Sequence, residues 1–407
     1  MGRPNSLARG AIAAAVALLA SAQAPARAVV GTLDATPAAT ILVPYVEVDL
    51  TSPLGTTTLV TLEAPLGAAL VHATLWTDLG VPVLGFDLFL PAHGSQTLNL
   101  RDVLTTGATS SATPNGAYAG CGAAIPPLVL DAPAVARLRA ALTGQPLDAS
   151  GAATCAGAAH GDQVARGYLT VDVVTRCAGL GPADADYFAG GAGRVASDEN
   201  LLVGSFQILD PSQNLALGDR AVALEADPSG ARTREAGRPT FYGALSGFAA
   251  ADHREPLPTR WSAPFVAAGT GLVVWRDPKT PRAPFPCATP PDPLPAEQIV
   301  AFDLAGGAAD VTSALPLPLV TQRLGAGAPA LPFPWRAGWL SLALGHDPAG
   351  VTLPAGARGA AQAYVLVVGS GTACGGEGRF LTGYAATPLD SGTAPDRTLL
   401  ALPGGGR

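Results

Sequence analysis

Between Leu70 and Arg101 apolar and polar residues take turns along three successive segments. Val71, Ala73 and Leu75 interleave with His72, Thr74 and Trp76. Leu84, Phe86, Leu88 and Leu90 share one face with Asp87 on the other. Leu98 and Leu100 oppose Thr97, Asn99 and Arg101. A period of two, repeated every ten residues or so with turn residues such as Pro91-Ala92-His93-Gly94 between, marks antiparallel sheet. Segments 40–48 and 57–63 precede it as strands, and Pro44 predicts an edge or a bulge in the first. Further strands are predicted at 168–174, 201–209, 221–225, 240–248, 271–275, 298–302, 339–344, 363–368 and 379–384. Glycine (49) and proline (38) make up about a fifth of the 407 residues, which suits short strands with many turns and argues against a helical bundle. The predicted fold class is all-β, an antiparallel β-sandwich, in two sandwich-like parts.

Residues 105–165 break the pattern with Ala, Gly, Thr and Pro. One helix is predicted there near 133–143, with Asp131 as N-cap, Pro133 in the first turn, Val135, Leu138 and Leu142 at helical spacing, and Gly144 as the stop. The predicted organisation is a signal peptide at 1–28, an N-terminal sandwich part at 29–104, a connection at 105–165, a C-terminal β-rich domain at 166–400 and a disordered tail at 401–407. No clean internal repeat is evident, although two similar sandwiches fit the pattern.

The N-terminus reads as an export signal. Arg3 and Arg9 precede the apolar run GAIAAAVALLA, and small-residue cleavage patterns end at Ala24 and Ala28, the latter preferred. No later run is long enough for a transmembrane helix, so none is expected in the mature chain, and an aromatic content of 6% is thin for the two girdles of an outer-membrane barrel. The chain carries one Lys, Lys279, against 23 Arg, a bias expected of a GC-rich bacterial genome. Loss of the leader removes three arginines and no acid, taking the net charge from −7 to −10. Nucleic acid and anionic lipid are poor partners for such a surface. Cys121, Cys155, Cys177, Cys287 and Cys374 predict two disulfides with one cysteine left over, and fifteen arrangements stay open. No CxxC is present, which argues against a zinc ribbon or a thioredoxin-like centre.

Several segments resemble a group of exported bacterial proteins known only as uncharacterised: ILVPYVEVDL (41–50), HATLWTD (72–78), VPVLGFD (81–87), TLNLRD (97–102), ARGYLTVD (165–172) and LVVWRD (272–277). That resemblance spans most of the mature chain and implies export without implying an activity. Residues 57–102 are more loosely similar to immunoglobulin-like modules of bacterial surface proteins, which implies an immunoglobulin-like sandwich and no particular function.

Motifs for chemistry are missing: no GxSxG, HExxH, GxxxxGK[ST] or GxGxxG occurs, and the five histidines do not fall at metal-ligand spacing. The densest polar cluster is Asp252-His253-Arg254-Glu255. Asp252, His253 and Glu255 supply acid and base groups and Arg254 a carboxylate grip, but alternation would point Asp252 and Arg254 one way and His253 and Glu255 the other. A solvated loop with an internal ion pair is the plainer reading. Asp184 and Asp186 fall short of a calcium shell and read as an Asx-type turn. Trp275 and Trp339, at strand ends, read as core; Trp335, between prolines, is the best candidate for an exposed aromatic that binds a ligand. His72 and Trp76 read as a surface-facing pair. No cofactor or metal is expected. The chain is thus expected to be an exported, non-enzymatic binding or structural protein of the bacterial envelope or secretome, in the periplasm or outside the cell, with a ligand or envelope component as partner. The alternative is a secreted hydrolase of polysaccharide or peptide built on Asp252, His253 and Glu255.

Overall fold

The computed structural model describes residues 36–400 except 110–112, 115–117, 123, 126–127, 149–152, 190–192, 230–239, 244–251, 268, 279–281, 326–330, 332, 334, 346–361, 373–378 and 391–399. The segments predicted as a signal peptide (1–28) and as a tail (401–407), together with Cys374, lie outside the described residues.

The protein is an all-β sandwich fold, and it contains two sandwiches. In the first, a five-stranded sheet in the order β12 (Val222–Leu224), β1 (Thr40–Asp49), β9 (Val164–Val173), β3 (Ala69–Thr77), β4 (Pro82–Leu90) covers a four-stranded sheet ordered β11 (Leu215–Arg220), β10 (Val203–Asp210), β2 (Thr57–Glu63), β5 (Ser95–Asn99). In the second, the five-stranded sheet runs β17 (Ala308–Asp310), β16 (Gln298–Asp303), β19 (Ala337–Ala343), β13 (Arg260–Val266), β22 (Thr387–Pro388). Its four-stranded partner runs β18 (Thr321–Leu324), β14 (Thr270–Arg276), β20 (Ala363–Thr372), β21 (Arg379–Ala385). Two ribbons complete the strands, β6 (Thr113–Pro114) with β7 (Ala124–Ile125) and β8 (Thr154–Cys155) with β15 (Phe285–Pro286).

The boundary expected at residue 166 cuts through a paired strand. β9 lies between β1 and β3, and β10 pairs with β2, so residues 164–224 complete the first sandwich. The second sandwich begins only at Arg260. Sequence alternation identifies strands but carries no information on partners this far apart in the chain.

The two sandwiches share one topology. Replacing β1, β2, β3, β4, β5, β9, β10, β11 and β12 by β13, β14, β16, β17, β18, β19, β20, β21 and β22 converts both sheet orders of the first into those of the second. Short sequence echoes follow. Gly167-Tyr168-Leu169-Thr170-Val171 of β9 answers to Gly338-Trp339-Leu340-Ser341-Leu342 of β19. Val43-Pro44 answers to Ala263-Pro264, and the Thr-x-Leu-Val of β2 recurs in β14.

Pro44 sits where the β1–β9 register slips between Val43 and Val46, a bulge as its missing N–H requires. The predicted helix is α2 (Ala132–Thr143). Asp131 caps it by accepting from Ala134 N at 2.9 Å, and Gly144 closes it at φ 68°. A second helix, α1 (Leu100–Thr105), was not expected; at six residues it shows no period, and it begins where Asn99 accepts from Arg101 N. Two arginines, the buried Arg276 and the half-buried Arg101, organise the loops. Arg276 gives its guanidinium hydrogens to four backbone carbonyls, those of Leu294, Pro295, Leu317 and Leu344, at 2.6–2.9 Å. Arg101 does the same for Ser52, Gly55 and Thr56. A lysine, with three donors on one atom, cannot span such sets.

Two disulfides are present, Cys121–Cys177 and Cys155–Cys287. The second ties the connection before β9 to the loop after β14. Among the described residues no helix is long and apolar enough to cross a membrane.

Candidate functional site

The first sandwich has a polar outer sheet face that is nonetheless buried. Strand register lines up Asp87 of β4, His72 of β3, Asp172 of β9 and Thr40 of β1 in one row across the sheet. Alternation puts these residues outward, away from the inner row of Ala73, Val171 and Ile41. Tyr187, Phe188, Tyr242, Asp252 and Arg254, from the segments after β9 and after β12, cover the row. His72, expected at the surface, is therefore buried, and Trp76, expected there too, is buried on the same face beside the end of the second sandwich. His72 Nδ1 lies 2.7 Å from Asp87 Oδ1, and Trp76 Nε1 donates to Thr170 Oγ1 at 2.9 Å.

At the centre, Asp172 accepts from Thr40 Oγ1 at 2.5 Å, from Tyr187 at 3.0 Å and from Tyr242 at 3.2 Å, with Arg254 Nε 3.6 Å away. Arg254 also donates to Thr40 Oγ1, to Asp252 at 3.3 Å and to the Ser197 carbonyl at 3.1 Å, and it lies over the rings of Phe188 and Tyr242. Burial pushes the Asp172 carboxyl above its ordinary value; Arg254 and the hydroxyl donors offset this in part. Burial alone would lower the Arg254 pKa, but Asp172 and Asp252 outweigh it and hold the guanidinium protonated.

This arrangement decides the fate of the predicted cluster. Asp252 and Arg254 do point the same way, as alternation implied, but into the interior, so the solvated loop is corrected to a sealed ion pair. Asp252 also accepts from Tyr242 N at 2.7 Å. His253 points elsewhere, half-buried, with Nδ1 2.6 Å from Asp198 Oδ2; Asp198 in turn takes two 2.6 Å hydrogen bonds from Arg194. Glu255 is buried, its N–H bonded to the Glu225 carbonyl. The three acid–base candidates share no open cleft. Sequence reasoning missed Thr40, Asp172, Tyr187 and Tyr242. Asp172 carried the one available signal, a carboxylate in the wholly buried second half of β9 beside Val171 and Val173.

The aromatics also change places. Trp335, expected to be exposed, is half-buried against the core, whereas Trp339, expected in the core, is 37% exposed and stacks on Phe302 with ring centroids 4.1 Å apart. Asp184 accepts from Gly181 N at 2.7 Å, three residues before it, and its own N–H bonds the Gly181 carbonyl, so the segment closes as a β-turn and not as the Asx-type turn expected. Among the described residues no three His, Cys, Asp or Glu side chains are grouped to hold a metal ion.

The open polar concavity lies between the sandwiches. A cleft of about 650 Å³ is walled on one side by Tyr45, Glu47, Asp162 and Arg166 and by the β10–β11 hairpin. Leu319, Thr321, Gln322, Arg323 and Leu381 of the second sandwich form the other side. Four of its charges come in two pairs, and Asp210 of the hairpin adds a carboxylate that accepts from Ser212 and Gln213. Arg166 makes two hydrogen bonds to Asp162, at 2.8 and 2.7 Å, and Arg323 lies 3.6 Å from Glu47, which also accepts from Tyr45 at 2.7 Å. The Arg166 hydrogen bonds hold the Asp162 carboxyl below its ordinary value against a smaller effect of burial. Burial, with Glu47 beside it, keeps the Tyr45 phenol protonated. Thr321 of the second sandwich donates to the Pro44 carbonyl at 2.5 Å, so the bulge in β1 also touches the second sandwich beside the cleft. A pocket of similar volume lies beside Cys155–Cys287, lined largely by Pro146, Pro290, Pro291, Pro293 and Pro318.

No family model matches the chain, and neither do any characterised protein or solved structure.

Proposed function

We propose that this chain is an exported, non-enzymatic binding protein of the bacterial envelope or secretome, which takes a polar ligand of near-zero net charge in the cleft between its sandwiches. One contrast carries the reading. The carboxylates and arginine that a hydrolase would need are walled in and hydrogen-bonded to one another, while in the roomy polar cleft two of the three carboxylates, Asp162 and Glu47, are already matched to arginines. Paired charges with leucine walls favour hydroxyl and amide groups over a strongly charged ligand, and the volume lies in the range of ordinary ligand sites. Export is supported by the leader-like N-terminus and by two disulfides, which persist in oxidising compartments. The hydrolase alternative rested on Asp252, His253 and Glu255, which do not meet.

Calorimetric titration of the mature protein with soluble envelope oligosaccharides and peptides tests this. Arg166→Ala and Arg323→Ala are each expected to weaken the bound ligand about tenfold, equivalent to about 1.4 kcal/mol. Hydrolytic turnover abolished by a point change, or binding indifferent to both substitutions, would overturn it.

A further inference from the structure

The shared topology of the two sandwiches exposes an unmatched surface. In the first, Trp76 of β3 and Tyr168 of β9 sit opposite each other in register and stack, 5.6 Å apart and 2° from parallel. In the second, Phe302 of β16 and Trp339 of β19 occupy the same register positions and stack in the same way. The pairs differ in what lies over them. Trp76 and Tyr168 are almost wholly buried, because the end of the second sandwich abuts them: Trp275 meets Tyr168 edge-on at 5.9 Å, and Asp277 and Pro278 close the contact. Asp78, two residues beyond Trp76, clamps the same junction by accepting from Val320 N and Thr321 N. Among the described residues no such cap lies over Phe302 and Trp339. Trp339 is 37% exposed, Val266 is 60% exposed and Leu304 84% exposed, with Pro264 also at the surface. Large apolar side chains gathered on one sheet face mark an interaction surface.

The first sandwich carries the counterpart of the cap. Residues Trp275-Arg276-Asp277-Pro278 at the exit of β14 correspond to Leu62-Glu63-Ala64-Pro65 at the exit of β2; Leu62 and Ala64 are buried in their own sandwich, so what this exit offers a partner is Glu63 and the next residue, Leu66, which is 67% exposed. Charge also fits: Glu63 is exposed beside Leu66, and Arg336 is exposed three residues before Trp339.

We infer that a second copy of this chain docks its β2 exit, through Glu63 and Leu66, onto the Phe302–Trp339 face, at the place that corresponds to the contact joining the two sandwiches within one molecule. The two surfaces differ, so the contact is heterologous and propagates head to tail. This inference is independent of the cleft and of whatever it binds.

Sedimentation velocity of the full mature protein across a wide concentration range, up to the millimolar region, provides the test. Wild type is expected to form dimers and longer species as concentration rises. Trp339→Asp and Leu66→Asp should each sediment as a monomer, with unchanged far-ultraviolet circular dichroism because both side chains are at the surface. An equimolar mixture of the two variants retains one intact surface of each kind, so it should form a dimer and stop there. Glu63→Arg should weaken association, and adding Arg336→Glu should restore it. A wild type that stays monomeric throughout, association indifferent to Trp339 and Leu66, or a mixture that remains monomeric would overturn the inference.

Discussion

Gly167 and Gly338 occupy the same place in the two sandwiches. Each precedes the aromatic residue of the stacked pair, and a Cβ on either would run into a carbonyl oxygen of the neighbouring strand, that of Trp76 for Gly167 and that of Phe302 for Gly338. Neither obstacle is a flexible side chain, so the strand must shift to make room. Gly167→Ala and Gly338→Ala should each destabilise the protein by about 1–3 kcal/mol, measured by urea unfolding. Equal stability of either variant and wild type would show that the strand spacing is looser than described.

How much of this was legible beforehand depends on range. Local features were: the alternation in β3 and β4, the cap pair Asp131 and Gly144 around α2, and the bulge at Pro44 each follow from a few adjacent residues. Partnerships were not. Nothing within 164–173 says that this strand inserts between β1 and β3, and the duplication survives mainly in topology, with echoes as short as Gly167-Tyr168-Leu169 and Gly338-Trp339-Leu340. The outer face of β3 misled for a related reason. His72 and Trp76 alternate with apolar residues as surface side chains do, and only distant residues, Tyr187, Tyr242 and Arg254 over the row of His72 and Trp275 and Pro278 beside Trp76, reveal that the face is covered. Trp335 and Trp339 were exchanged because a ring's exposure depends on what packs over its strand, which the flanking prolines do not specify.

Arg254 and Asp172 make a buried pair whose removal should be asymmetric. Arg254→Met leaves Asp172 and Asp252 without their cation in a site closed to water, and a loss of about 3–5 kcal/mol is expected. Combining it with Asp172→Asn should recover part of that loss, since the stranded charge is removed. The raised Asp172 pKa also has a sign. Between the unfolded and folded values the native state holds the extra proton, so this group's contribution favours folding at low pH and is lost as pH rises through the folded value. Asp172→Asn should remove that component. A double variant no more stable than Arg254→Met would contradict the account.

Asp198 works in the opposite direction. Burial alone would raise its pKa, but hydrogen bonds from Arg194 and His253 outweigh burial and hold it below the ordinary carboxylate value. Its stabilisation is complete above the unfolded pKa and disappears as pH falls through the lower folded one. Asp198→Asn should therefore cost stability at pH 7, and the gap from wild type should narrow as denaturation is followed down in pH from about 4. A gap that stays constant with pH would mean that the carboxylate's charge is not what holds Arg194 and His253.

The disulfides predict both a chemical map and a ranking. Non-reducing peptide mapping of mature protein from its native compartment should recover Cys121 with Cys177 and Cys155 with Cys287. The sequence separations are 56 and 132 residues, for which the chain-entropy treatment gives about 4 and about 5 kcal/mol of stabilisation respectively. The longer bridge also joins the connection that packs on the first sandwich to a loop of the second, at the ribbon where Phe285 pairs with Cys155. Opening it with Cys287→Ser should therefore lower the melting temperature more than Cys121→Ser. It should also increase hydrogen exchange along the junction at Asp78, Val320 and Thr321, where backbone hydrogen bonds cross between sandwiches. Free thiols at all four positions, or a larger effect from the shorter bridge, would show that the junction is held by packing and hydrogen bonds such as that of Thr321 to Pro44, without need of the covalent link.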